Sequence, residues 1–244
     1  MERDLYAKFA AGVYKEQPPS EIAGYTLVHS TPQVAVYRNG NQQMVFAVRG
    51  TQNFADARTD VAIFFNRLKR TKMYRRVNKL FKEIRAQYPQ DQITAVGHSL
   101  GGSTVAQLLK DNLYNINQVY GFNIGMSPKS LMGHFEVCFK AKCKREKRLY
   151  RQKLNLFTTG ADIISGLSVL AGAQVVRPQG FETHGIANFT TQVSEIEPIR
   201  GGRLAPPGHI NSHQLSRIGL NPFEIRQLTI RPQIQTYHAT QYRR

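Results

Sequence analysis

The sequence predicts an α/β fold, a mostly parallel sheet with helices on both faces, from three observations. β-prone runs alternate with helix-forming runs along most of the chain. One of those strands passes through Gly97-His98-Ser99-Leu100-Gly101 directly into a helical run. And 244 residues, 41% of them hydrophobic, suffice for one domain, 1–244, with a sizeable core.

The elements follow in order. Asp4 to Tyr14 forms a helix with Leu5, Phe9 and Val13 on one face, and Gln17-Pro18-Pro19-Ser20 ends it. Tyr25–Ser30, Gln33–Tyr37 and Gln43–Val48 read as strands, the last two joined through Asn39-Gly40, so the sheet starts antiparallel. Residues 67–85 hold nine Lys/Arg, with Met73, Val77, Leu80, Phe81 and Ile84 recurring at helical spacing: an amphipathic helix with a basic outer face. Tyr88-Pro89 closes it. The strand beginning at Ile93 follows, then a helix over Ser103–Asp111, a strand over Gln118–Ile124, and a run at 140–153 with eight Lys/Arg against Glu146. That run is expected as an exposed, mobile basic insertion. Leu154–Thr158 is the next strand, Gln174–Val176 a short extended piece, and His184–Phe189 a helix start; residues 221–244 form a peripheral tail.

Gly97 to Gly101 fits G-x-S-x-G, the turn that lifts a serine between a strand and a helix. Side chains at 97 or 101 would collide with the adjoining elements, and the start of a helix favours the negative charge of an acyl-transfer intermediate. Ser99 is the candidate nucleophile. Its partners should follow in the order Ser, Asp/Glu, His. Asp162 stands in the turn Gly160-Ala161-Asp162 just after a strand. Of the histidines beyond it, His184 is preferred to His213, with His209 behind both and His238 in the polar tail.

The net charge of +17 implies attraction to polyanions such as nucleic acid or anionic headgroups. Cys138 and Cys143 support neither a zinc site nor a disulfide framework, no metal or organic cofactor is called for, and a reducing compartment is expected. With no apolar run of spanning length and no signal-peptide pattern after Met1-Glu2-Arg3-Asp4-Leu5, a cytoplasmic or peripheral-membrane location is expected.

Four stretches stand out in order along the chain: Val48-Arg49-Gly50-Thr51 with Asp60 downstream, Gly97 to Gly102, Phe122-Asn123-Ile124-Gly125-Met126-Ser127-Pro128, and Gly160-Ala161-Asp162-Ile163-Ile164-Ser165-Gly166-Leu167. Together they resemble the class 3 lipases, the α/β-hydrolase family of fungal triacylglycerol lipases and many small lipase-like proteins, some of them from large DNA viruses. Thr183 to Phe189 resembles the last motif of the short members. The resemblance implies an oxyanion hole from Thr51 and the Leu100 N–H, and it puts Val61–Phe65, flanked by Arg67, Lys69 and Arg70, where related lipases carry a lid; the alternative for that apolar run is packing into the core. The expected function is hydrolysis of a carboxylic ester, of a lipid or a small acyl compound, by Ser99-Asp162-His184. The rival is a catalytically silent member of the fold that holds an anionic membrane or nucleic acid on its basic surface.

Overall fold

A computed structural model describes residues 2–50, 67–125, 140–159, 173–176 and 185–190. All belong to the unit Met1–Gln192. The expected lid at 61–65 and tail from 221 lie outside the described residues, as does everything after 190 in the expected single domain.

Helix α1 (Glu2–Gly12) buries Ala7, Phe9 and Ala10, continued by Val13, and carries Glu2 and Asp4 in its first turn, where the helix dipole favours acids. Among the described residues, eight strands follow in one sheet: β1 (Glu21–Ile22), β2 (Tyr25–Ser30), β3 (Val34–Arg38), β4 (Gln43–Val48), β5 (Gln92–His98), β6 (Gln118–Phe122), β7 (Leu154–Thr158) and β8 (Gln174–Val175). Their spatial order is their sequence order. Pairings from β1 to β4 are antiparallel and those from β4 to β8 parallel, so the sheet starts as expected and the fold is α/β. β2 alternates half-buried and exposed residues, whereas β4 and β5 are buried at every position after the first, the near-continuous apolar pattern of strands covered on both faces.

Among the described residues, helices lie on three of the four parallel crossovers: α2 (Lys72–Gln87) leads into β5, α3 (Leu100–Asp111) joins β5 to β6, and α4 (Ala141–Lys153) leads into β7. Right-handed crossovers that all step one way along a sheet place their helices on one face. Accordingly Val77, Phe81 and Ile84 of α2 and Val105, Leu108 and Leu109 of α3 share one core with Val36, Phe46 and Ile93 of the sheet. Phe81 meets Phe46 edge-on at 5.5 Å between ring centroids. Each such side chain contributes about 1.5–3 kcal/mol by burial. The opposite face is covered by α1 and by a 3₁₀ turn, Ile186–Phe189, whose Phe189 ring lies 5.2 Å from that of Phe122. Helices therefore flank both faces, as expected.

Three local features go beyond the reading of the sequence. The 140–153 run, expected as a basic insertion, forms helix α4 over Ala141–Lys153; it buries no residue fully and is tied down at its end, where the Lys153 ammonium donates to the carbonyls of Leu113 (2.9 Å) and Ile116 (2.6 Å). Burial lowers the Lys153 pKa. Cys143 on that helix is disulfide-bonded, which two cysteines five residues apart in a lysine-rich run did not suggest. And β1, two residues long, has no pattern long enough to announce it.

Candidate active site

At the end of β5 the chain turns into α3 through Ser99, whose φ of 57° and ψ of −124° are strained for an L-residue. The glycines make this turn sterically possible. A Cβ on Gly97 would lie 2.6 Å from the Gly101 carbonyl oxygen, and one on Gly101 would lie 2.9 Å from the Gly50 nitrogen, both backbone atoms that cannot swing away. A Cβ on Gly102 would run into Ile124. This is the strand–turn–helix geometry of the nucleophile elbow of α/β-hydrolases.

Ser99 occupies the N-cap position yet makes no side-chain cap hydrogen bond. A serine normally caps from the extended region, where its hydroxyl accepts from an N–H of the first turn; the positive φ here aims the side chain elsewhere. Ser99 is 1% exposed, and its Oγ has no hydrogen-bond partner among the described residues. A buried hydroxyl left in that condition costs about 1–3 kcal/mol. The backbone is held instead: the Ser99 N–H donates to the Phe122 carbonyl at 2.9 Å, and the Ser103 N–H to the Ser99 carbonyl at 3.0 Å.

Neighbouring strand ends converge on this turn. Gly50, two residues past β4, abuts the elbow, and its N–H donates to the Tyr14 hydroxyl at 3.0 Å. That hydroxyl also lies 3.3 Å from the His98 carbonyl, to which it donates, and 3.3 Å from His98 Nδ1. Burial pushes the Tyr14 phenol up to about 12, against opposing pulls from the Gly50 N–H and from Arg49, whose guanidinium stands 5.7 Å over the ring. On the other side, Ser103 Oγ donates to the Gly125 carbonyl at 2.6 Å. Asn123 takes a φ of 44°, which asparagine tolerates better than most residues, and its Oδ1 accepts from the Thr159 N–H at 3.0 Å, tying the end of β6 to the end of β7.

Of the residues expected to form the site, the structure describes Ser99 and Leu100, adjacent at the elbow, with Leu100 opening α3. Thr51, Asp162, His184 and the alternatives His213 and His209 lie outside the described residues. Described residues adjoin two of them in sequence, Gly50 packed on the elbow and Gly185 leading into the turn that Phe189 anchors, and Thr159, tied by Asn123, stands three residues before Asp162. Tyr14 is a support that no pattern in the sequence marked, because its partners lie far along the chain.

No protein-family model matches the sequence, and no curated protein does. Among solved structures, the chain is similar to the Lip2 lipase from Yarrowia lipolytica, at 19% identity and a TM-score of 0.43, over 71% of this chain and 75% of that one. It is also similar to the Rhizomucor miehei lipase of a propeptide complex, at 16% identity and 0.46, over 70% and 64%. A third is the lipase from Rhizopus microsporus var. chinensis, at 17% and 0.36, over 51% of this chain; the match spans 57% of that lipase's own length.

Proposed function

We propose that the chain is a serine hydrolase of carboxylic esters, with lipid esters as the substrate class, working through an acyl-enzyme. The observation that carries this reading is Ser99 itself: strained, buried, without a hydrogen-bond partner for its Oγ among the described residues, and withheld from capping the helix it begins. Folding gains nothing from that arrangement; a nucleophile does. In the proposed reaction Ser99 Oγ attacks the acyl carbon while its proton passes to His184, which Asp162 orients. The oxyanion is held by the Leu100 N–H and Thr51, the alcohol leaves with the proton from His184, and water, deprotonated by the same base, releases the acid. No metal or organic cofactor takes part. The test is labelling by a fluorophosphonate together with hydrolysis of a short-chain nitrophenyl ester. Labelling and turnover should both disappear in Ser99→Ala, with turnover falling about 10⁴-fold or more; an unchanged rate in Ser99→Ala rejects the reading.

A second reading has its own observation, the distribution of charge. Residues 67–85 hold nine Lys/Arg and one Glu, and 140–153 hold eight and one, so these two stretches supply 15 of the net +17. Folding brings them to one face of the sheet, on α2 and α4 with α3 between: Tyr74 and Lys69 bond to Asp111 of α3, and Tyr150 and Lys153 bond to carbonyls of α3 and the turn after it. Neither helix has an acid in its first turn, and both repeat like charges at i,i+4 (Lys72 with Arg76, Lys144 with Arg148), placements that each cost a few tenths of a kcal/mol. We infer that this layer contacts a polyanion, an anionic bilayer or nucleic acid. Sedimentation with vesicles containing anionic lipid and titration with a DNA duplex tell the two apart. Binding should weaken steeply with salt and be lost when Lys72, Arg75, Arg76, Lys144, Arg145 and Arg148 become Gln. Binding to neither probe at low salt refutes it.

A further inference from the structure

Tyr14 is not part of the proposed triad or oxyanion hole, yet its hydroxyl touches both arms of that hole at their bases. One arm leaves β4 through Gly50, the residue before Thr51. The other leaves β5 through His98 and Ser99 to Leu100. These strands are parallel neighbours whose paired register ends at Val48 with Gly97. Beyond that point the regular ladder no longer sets the distance between the two chain segments. There the Tyr14 phenol accepts from the Gly50 N–H at 3.0 Å and donates to the His98 carbonyl at 3.3 Å. One side chain, reaching over from the end of α1, thus replaces the missing rung.

We propose that Tyr14 is a positioning residue that sets the separation of the two oxyanion arms; this rests on the hydrolase reading above. Three features of its setting suit that role. Burial keeps the phenol protonated, and so able to donate and accept at once, throughout the neutral range. Arg49 stands over the ring, and Gly50 has no room for a side chain beside the hydroxyl, since a Cβ there would lie 2.5 Å from it. The contact with Gly50 is therefore made by backbone alone, at a place where only glycine fits. Because oxyanion donors act at hydrogen-bond range, a displacement of about 1 Å between the arms costs on the order of 10²-fold in rate.

The experiment compares Tyr14→Phe with the full-length native chain. Tyr25→Phe serves as control, since Tyr25 packs against the same core but its hydroxyl reaches only exposed Gln43. With a nitrophenyl ester, Tyr14→Phe should lower kcat by about 10- to 100-fold with KM changed by less than about twofold, since uniform substrate binding is untouched, while Tyr25→Phe keeps both. Exchange of the Gly50 amide proton, which needs no turnover, should quicken in Tyr14→Phe alone. A native kcat in Tyr14→Phe, with Ser99→Ala inactive, overturns the positioning role and leaves the hydrolase reading standing. A native rate in Ser99→Ala removes both. A slow Gly50 amide in Tyr14→Phe would show that the phenol does not hold that arm.

Discussion

Ser99 bears two separate costs in the folded chain, and two substitutions divide them. Its φ of 57° with ψ of −124° costs about 1–3 kcal/mol, and its buried Oγ, unpartnered among the described residues, about 1–3 kcal/mol. Ser99→Ala removes the hydroxyl and keeps the strained backbone. Ser99→Gly removes both, because glycine takes positive φ freely, but it also loosens the unfolded chain at a cost of about 0.5–1 kcal/mol. Ser99→Ala should therefore be more stable than the native chain by about 1–3 kcal/mol. Ser99→Gly should exceed Ser99→Ala by about 0.5–2 kcal/mol, the strain less the entropy. For a chain of this length each kcal/mol moves Tm by about 2–4 °C, so thermal unfolding of the three proteins side by side resolves the order. Ser99→Gly falling below Ser99→Ala would refute the strain argument, and Ser99→Ala falling below the native chain would show that the hydroxyl is bonded after all.

Other outcomes follow from the same geometry. Gly101→Ala should destabilise by about 2–3 kcal/mol in urea unfolding, because the new methyl meets the backbone of Arg49 and Gly50, while Gly40→Ala, with nothing within 4 Å, should stay within about 0.5 kcal/mol. Asn123→Ala should cost about 2–4 kcal/mol and reduce turnover, since it removes the Oδ1 that accepts from the Thr159 N–H and puts alanine at a φ of 44°. The Tyr14 phenol is raised from 10.0 to about 12, so above pH 10 the folded state holds a proton that the unfolded state releases; the corresponding stability is complete below pH 10 and lost as pH climbs to about 12. Tyr14→Phe should show a correspondingly flatter alkaline limb by denaturant titration, and an identical limb would count against the burial of that phenol. If His184 is the base, His184→Ala should match Ser99→Ala in ester turnover and His213→Ala should not; the reverse result moves the base.

The elbow was legible because its demands are local: Gly97 and Gly101 stand at the spacing where backbone meets backbone, and the strand and helix beside them have opposite periodicities. The amphipathic stripe of α2 was legible for the same reason, with Val77, Phe81 and Ile84 on one face. α4 was not, because a helix anchored chiefly by Tyr150 and Lys153 leaves no apolar stripe, and its charges read as a solvated loop. Tyr14 was invisible for a different reason. Its partners, Gly50 and His98, are 36 and 84 residues away, and no pattern along the chain records that three such residues meet.

A sheet whose spatial order is its order of synthesis can be laid down strand by strand as the chain emerges, each new strand finding its neighbour already in place. No strand has to be held open for a later one to enter. The strand that carries Ser99 is flanked by β4, made before it, and by β6, made soon after, so the elbow can close early, with the Phe122 carbonyl that receives the Ser99 N–H arriving only 23 residues behind. On this account, nascent chains halted at successive lengths would gain a protected elbow once β6 is out, while the last edge, β8, is still unmade.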